Sequence, residues 1–227
     1  MYSTVINKLQ EVIDSKSILN HPFYQAWQKG ELTKEDLKLY AEQYYFFESS
    51  FPQRLSTIHS KCDDAEARQA ILINLWDEEH GENNHSNQWL KFCYGLGLDT
   101  EEVKQAELMS TTKHLINTYT TICDEQDFRH GLSIMYAWEY QVPKVATEKI
   151  VGLRKYFDLN EDSLEFFKVH STEKIGHHEA EAESINNSLE EAQLKDVLIS
   201  VNEALDAMWI FLDGIEESRE KLAAIAE

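Results

Sequence analysis

Three short stretches of this chain carry the residue types that hold metal ions. Glu78 and His85 stand seven apart in DEEHGENNH, residues 77 to 85, and Glu82 and His85 form a Glu-x-x-His pair. His170 and His177 stand seven apart in HSTEKIGHH, residues 170 to 178. On a helix turning ~100° per residue, positions seven apart differ by only ~20°, so each pair is expected on one helix face. Glu139 sits among Tyr136, Trp138, Val142 and Val145. A carboxylate buried among such neighbours costs several kcal/mol or takes up a proton unless it is partnered, and a metal ion is one such partner. Pro143 lacks the N–H that would bond the Glu139 carbonyl, so the helix is expected to bend or open at this carboxylate. Relative to the mean direction of His170 and His177, Glu173 falls ~50° to one side and Lys174 ~50° to the other, which lets Glu173 join the set.

Two or three carboxylates and three imidazoles on three helices suit iron or manganese. Cys62, Cys93 and Cys123 lack metal-ligand spacing. Taken singly, each residue has an ordinary explanation. A helical Glu is usually solvated, and a lone His on an apolar face usually belongs to a satisfied core. The repeated spacing on separate helices is what points to a metal centre. His21, His59, His80, His114, His130 and His178 have no matching partner and are left as surface or supporting residues.

Helices must position these groups. Of 227 residues, only eight are Gly and three Pro, and no run alternates with period two between turn dipeptides. Thr33, with Asp36 three residues later, opens a helix. Its stripe Leu37, Tyr40, Tyr44, Phe47, Phe51 and Leu55 continues past Pro52, which is expected to bend it. Asp63 and Asp64 open the next, with Ile71, Leu72, Leu75 and Trp76 as its apolar face. Further helices are expected over 84–96, from the Asp99–Glu102 run, over 110–123, over 128–156, and from Asn160–Ser163 through about 185. The last shows the clearest stripe: Leu194, Val197, Leu198, Val201, Leu205, Met208, Trp209 and Leu212. No linker or repeat divides the chain, so 1–227 reads as one all-α domain with its site in the bundle interior.

Twenty-one basic against forty-one acidic residues give a net charge of −20. That argues against nucleic acid and anionic membrane surfaces as partners. No stretch approaches the ~18 to 20 apolar residues of a membrane helix. Residues 1–12 show no basic start followed by an apolar run. Three widely spaced cysteines argue against a disulfide framework, and a reduced, cytoplasmic setting is expected.

Residues 21–68 (HPFYQAWQKGELTKEDLKLYAEQYYFFESSFPQRLSTIHSKCDDAEAR), the DEE…NH segment and EYQVPKVATEKIVGLRKYF at 139–157 closely resemble the family of the chlamydial protein associating with death domains. The resemblance covers most of the chain and is weakest beyond about residue 185. It implies a heme-oxygenase-like seven-helix bundle without heme, related to TenA and PqqC. It further implies an O₂-dependent dimetal oxygenase, with two non-heme ions (Fe or Fe/Mn) and an external reductant, that makes p-aminobenzoate for folate from its own side chains. By position, the metal ligands are Glu78, His85, Glu139, His170 and His177. Tyr24 in HPFYQAW is the sacrificed tyrosine, and Lys149 in TEKI is implicated as amino donor. Where the family has Asp, this chain has Lys174, so Glu173 is the expected surrogate.

Tyr40, Tyr44 and Tyr45 either relay oxidation to Tyr24 or simply pack, and the sequence leaves both open. Lys149 would read as a surface lysine without the resemblance. Three other functions stand beside the synthase. One is a helical interaction module for death domains, as the family's name implies. Another is a dimetal oxidase with a small diffusing substrate, which a deep pocket ending at the metals would favour. The third is TenA-like hydrolysis of a thiamin-related pyrimidine, which needs a cysteine nucleophile. Homodimers are common in this architecture, although no residue here specifies one.

Overall fold

The computed structural model describes the backbone of residues 4–172 and 175–226, and the side chains of 4–171 and 179–221. The described residues contain helices and no strand, as the lack of period-two alternation requires. In chain order the α-helices are α1 Thr4–Ser15, α2 Pro22–Lys29, α3 Lys34–Ser49, α4 Phe51–Lys61, α5 Ala65–Glu79, α6 His85–Gly95, α7 Thr100–Lys104, α8 Ser110–Glu125, α9 Phe128–Glu139, α10 Val142–Tyr156, α11 Glu165–Thr172, α12 Ile175–Ser188 and α13 Glu191–Ala226.

Polar side chains start these helices where the sequence places them. Thr33 and Asp36 form a reciprocal capping box on α3, and Asp64, Asn84, Asp99 and Asp127 cap α5, α6, α7 and α9. His21, which the sequence left unassigned, caps α2: its ring accepts from the Phe23 amide and Pro22 takes the first turn. The opposite edge of that ring meets Asp213 of α13 at 3.0 Å. Tyr24 therefore stands on a helix tied at its start to the long terminal helix.

Two expected long helices are broken instead. The Leu37–Leu55 stripe is buried as expected, but it runs over α3 and α4, which meet at Ser50. Pro52 cannot donate to the carbonyl of Glu48, so a new helix starts there rather than the old one bending. Buried Arg54 donates to the Phe47 carbonyl at 2.7 Å and to Ser50 Oγ at 2.9 Å, giving partners to groups the break sets free. The expected 128–156 helix parts into α9 and α10 at Tyr140 and Gln141, directly after Glu139. This is the opening that Pro143 implies.

The apolar face expected for α5 is corrected. Ile71 is buried, but Leu72 and Trp76 are exposed. The buried positions are Ala67, Ile71, Asn74 and Glu78, spaced by four, three and four. Two of them are polar, because this face looks into the site rather than into the apolar core. That core links residues from Ile6 to Ile215. α13 lies along α8, α9 and α1, α3 packs on α6, α4 on α5, α10 on α11, and α12 on α9 and α5.

Candidate metal centre and tyrosine–lysine cluster

α5 ends at Glu79 and α6 starts at His85, so Glu78 and His85 do not share a helix as their spacing suggested. A tight turn doubles the chain back between them, with Gly81 at φ +78°, a backbone conformation that favours glycine. The two residues still meet, with His85 Nδ1 2.7 Å from Glu78 Oε2 and both buried. Glu82, in the turn, is exposed and leaves the set.

His170 of α11 joins this pair. Its ring centre lies 4.5 Å from that of His85. One ligand atom each from Glu78, His85 and His170 all lie within 4.8 Å of one another. His170 Nδ1 is 2.6 Å from the Phe166 carbonyl. A carbonyl only accepts, so Nδ1 carries the proton and Nε2 offers its lone pair, the usual arrangement of a ligating histidine.

Glu139 reaches a second cluster that sequence reasoning missed. Asn74 Nδ2 donates to Glu139 Oε1 at 2.5 Å and to Glu181 Oε1 at 3.3 Å. Burial, then the charge of Glu139, holds the Glu181 carboxyl well above the usual carboxylate range. Glu181 Oε2 and Asn74 Oδ1 are buried and make no hydrogen bond among the described residues. The residues fit a metal centre. They supply mixed carboxylate and imidazole donors in a tight group, beside buried polar atoms that an ion would satisfy. The Glu173, Lys174 and His177 side chains lie outside the described residues.

Beside these residues lies a cavity of about 50 Å³, lined by Glu78, His85, Glu139, His170, Tyr44, Glu48 and Lys149 among others. The Lys149 side chain is buried, against its bland reading as a surface residue. Its Nζ donates to Tyr40 Oη at 2.6 Å, and Tyr40 Oη lies 3.3 Å from Tyr24 Oη. Nζ is 5.6 Å from the centre of the Tyr24 ring and 5.4 Å from that of Tyr44. Burial pulls the Lys149 ammonium down to about 7, against the nearby carboxylate of Glu48, which favours the charged form. Burial likewise pushes the Tyr24, Tyr40 and Tyr44 hydroxyls up, so the phenols stay protonated.

Tyr44 stacks on Tyr40 with ring centres 5.7 Å apart. The two form an aromatic path from the cavity wall to Tyr24, while Tyr45 is half-buried on another face. Glu48 is a second residue the sequence missed. It is buried in the cavity wall one turn after Tyr44, and burial followed by the charge of Glu78 raises its carboxyl well above the ordinary range. The spacing of Tyr40, Tyr44 and Glu48 by four was the available signal. For Asn74 it was the polar place in the 67, 71, 74, 78 series, and for Glu181 its position four before apolar Ile185.

The three cysteines are free and buried. Burial pushes the Cys93 and Cys123 thiols up to about 12, and no cysteine lines the cavity. Thiolate chemistry therefore has no place at this site.

The chain is 39% identical over 227 residues to a 4-aminobenzoate synthase of Nitrosomonas europaea, covering 95% of this chain and 92% of that protein. It is 36% identical over 215 residues to a 4-aminobenzoate synthase of Chlamydia pneumoniae, covering 95% and 96%. Its backbone matches the crystal structure of a domain of unknown function with a heme oxygenase-like fold from Shewanella denitrificans, with TM-score 0.80, 20% identity and coverage of 96% and 92%. Residues 8–213 match the family model described as TENA/THI-4/PQQC. With that match spanning nearly the whole chain, and with the expected heme-oxygenase-like fold found, this protein belongs to the TENA/THI-4/PQQC family.

Proposed function

We propose that this chain is a 4-aminobenzoate synthase, a non-heme dimetal oxygenase that builds 4-aminobenzoate from its own Tyr24 and Lys149. The observation that carries this reading is the placement of Lys149. Its amine is buried 5.6 Å from the centre of the Tyr24 ring, on a residue that lines the same cavity as Glu78, His85 and His170, with its charged form disfavoured. A neutral amine has a free electron pair, which a surface lysine lacks at neutral pH. The likeness to the two synthases supports the same assignment.

Glu78, His85 and His170 would hold one ion. Glu139 would hold a second, with His177 and the acid expected at Glu173. Two reduced ions, iron or iron with manganese, supply O₂ activation that side chains alone cannot. Tyr44 and Tyr40 connect the cavity to the Tyr24 phenol and pass oxidation to it. Tyr40 orients both reactants, accepting from Lys149 and bonding Tyr24. Glu48 lines the same cavity, its charge acts on the amine, and it takes up or returns the amine's proton. The apolar wall of Phe51, Trp138, Val142, Val145, Phe166 and Phe167 keeps bulk water from the oxidised groups.

The size of the cavity supports self-sacrifice over a diffusing substrate. At about 50 Å³ it admits dioxygen and a water or two. A cavity that takes benzene measures roughly 150 Å³. We further read 1–227 as a single domain working in the cytoplasm with an external reductant. No described helix is long and apolar enough to cross a membrane.

The test is a pair of variants reduced and exposed to O₂ after metal loading. Tyr24→Phe and Lys149→Ala should each bind metal as the parent does and yield no 4-aminobenzoate. Parent-level product from Tyr24→Phe would remove the self-sacrifice reading.

A further inference from the structure

We propose that Glu181 is a ligand of the second metal position, gripping the ion together with Glu139 while Asn74 holds the two carboxylates in place. This rests on the dimetal reading and adds a residue to it.

Glu181 lies on α12 in the acidic run EAEAES, residues 179–184. Its neighbours Glu179 and Glu183 are exposed, whereas Glu181 is 2% exposed. The helix thus has solvent available for its acids and turns this one inward. Oε1 accepts from Asn74, and Oε2 has no hydrogen bond among the described residues although it is buried. Asn74 Oδ1, 1% exposed on its residue, is in the same condition. The same amide nitrogen serves Glu139. Carboxylates from the end of α9 and from α12 therefore converge within the span of one amide, leaving an oxygen of Glu181 open.

Two acids held this close repel if ionised, and an unpartnered buried oxygen forfeits its hydration. A divalent cation between them removes both costs at once. Asn74 stands four residues, about one helical turn, before Glu78 on α5, a rise of about 6 Å. The Glu139–Glu181 pair is thereby set beside the Glu78–His85–His170 cluster, as a second ion position requires. His177 precedes Glu181 by four residues in the same helix, which places a further nitrogen donor in the same segment of sequence.

The experiment measures metal per chain in protein purified without oxygen and equilibrated with Fe(II) or Mn(II). The parent and Glu183→Gln should each hold about two ions, and Glu181→Gln about one. Thermal melting of the metal-free forms supplies a second readout. Glu181→Gln should melt above the parent, because its open buried acid is gone, and should gain less from added Mn(II). If Glu181→Gln does not fold, Glu181→Asp, which withdraws the charge by one methylene, should weaken the second ion by tenfold or more. Two ions in Glu181→Gln, or unchanged affinity in Glu181→Asp, would overturn the assignment and leave the dimetal reading standing. Fewer than two ions in the parent would overturn both.

Discussion

At the scale of single residues, Lys149 shows how position sets reactivity. Removing an ammonium from water disfavours its charged form, and the carboxylate of Glu48 only partly offsets that. Between about 7 and the ordinary lysine value of 10.5, the unfolded chain binds a proton here that the native chain does not. Stability should therefore rise with pH across that window relative to Lys149→Met, and the advantage of the variant should be greatest below about 7. Urea unfolding of both proteins as a function of pH checks this, and a difference independent of pH would contradict it. Product yield should climb around pH 7, where the native amine loses its proton, and level off above it. The acids and imidazoles that gather here, Glu78, His85 and His170, were legible in the sequence because Glu and His are conspicuous among apolar helical residues. Lys149 was not legible without the family resemblance. Nothing local distinguishes it from other lysines, and its burial comes from α2, α3 and α6 closing over it. Asn74, Glu48 and Glu181 escaped for the same reason, since a lone polar residue reads as solvated until its neighbours in space are known.

Among the elements, the breaks decide where chemistry is placed. The α9–α10 opening follows Glu139, and the α3–α4 junction follows Glu48. Each lies four residues before a proline, whose missing N–H frees the carbonyl there. The sequence implies a bend or opening at Pro143 and a bend at Pro52, within helices it draws as continuous, and both helices part there. Glu78 and His85 met for a reason other than their spacing, through a turn whose glycine the sequence displays at Gly81. Contact between α2 and α10 has its own device. A Cβ at Gly152 would lie 2.4 Å from Trp27 Nε1. Gly152 follows Lys149 by three residues and Trp27 follows Tyr24 by three, so this close approach sets the separation of the two proposed reactants. Gly152→Ala should destabilise the fold by about 1–3 kcal/mol. It should also reduce 4-aminobenzoate yield more than it reduces metal content. Melting temperature, metal analysis and product measurement on one preparation test this together. Equal losses of metal and product would show instead that α2 is not specifically displaced.

For the whole molecule, the bundle buries acids and imidazoles whose removal from water a bound cation would offset. Metal should therefore act as a folding ligand. Added Mn(II) under anaerobic conditions should raise the melting temperature in a concentration-dependent way, and a chelator should reverse the gain. A melting temperature indifferent to metal would deny the centre. The all-helical class was legible from low Gly and Pro content and helical periodicity, but the way the helices close around one cavity was not. Periodicity reports which face is apolar and says nothing of which face it meets, so Ile71 and Leu75 of α5 pack on the core as expected while Leu72 and Trp76 do not. In the proposed reaction the product's ring comes from this chain itself. Protein carrying ring-labelled tyrosine, purified without oxygen, loaded with metal, reduced and then exposed to O₂ with no other substrate, tests it most directly. Labelled 4-aminobenzoate at no more than about one molecule per chain, with matching loss at Tyr24, is the predicted result. Unlabelled product, or many molecules per chain with Tyr24 intact, would contradict it.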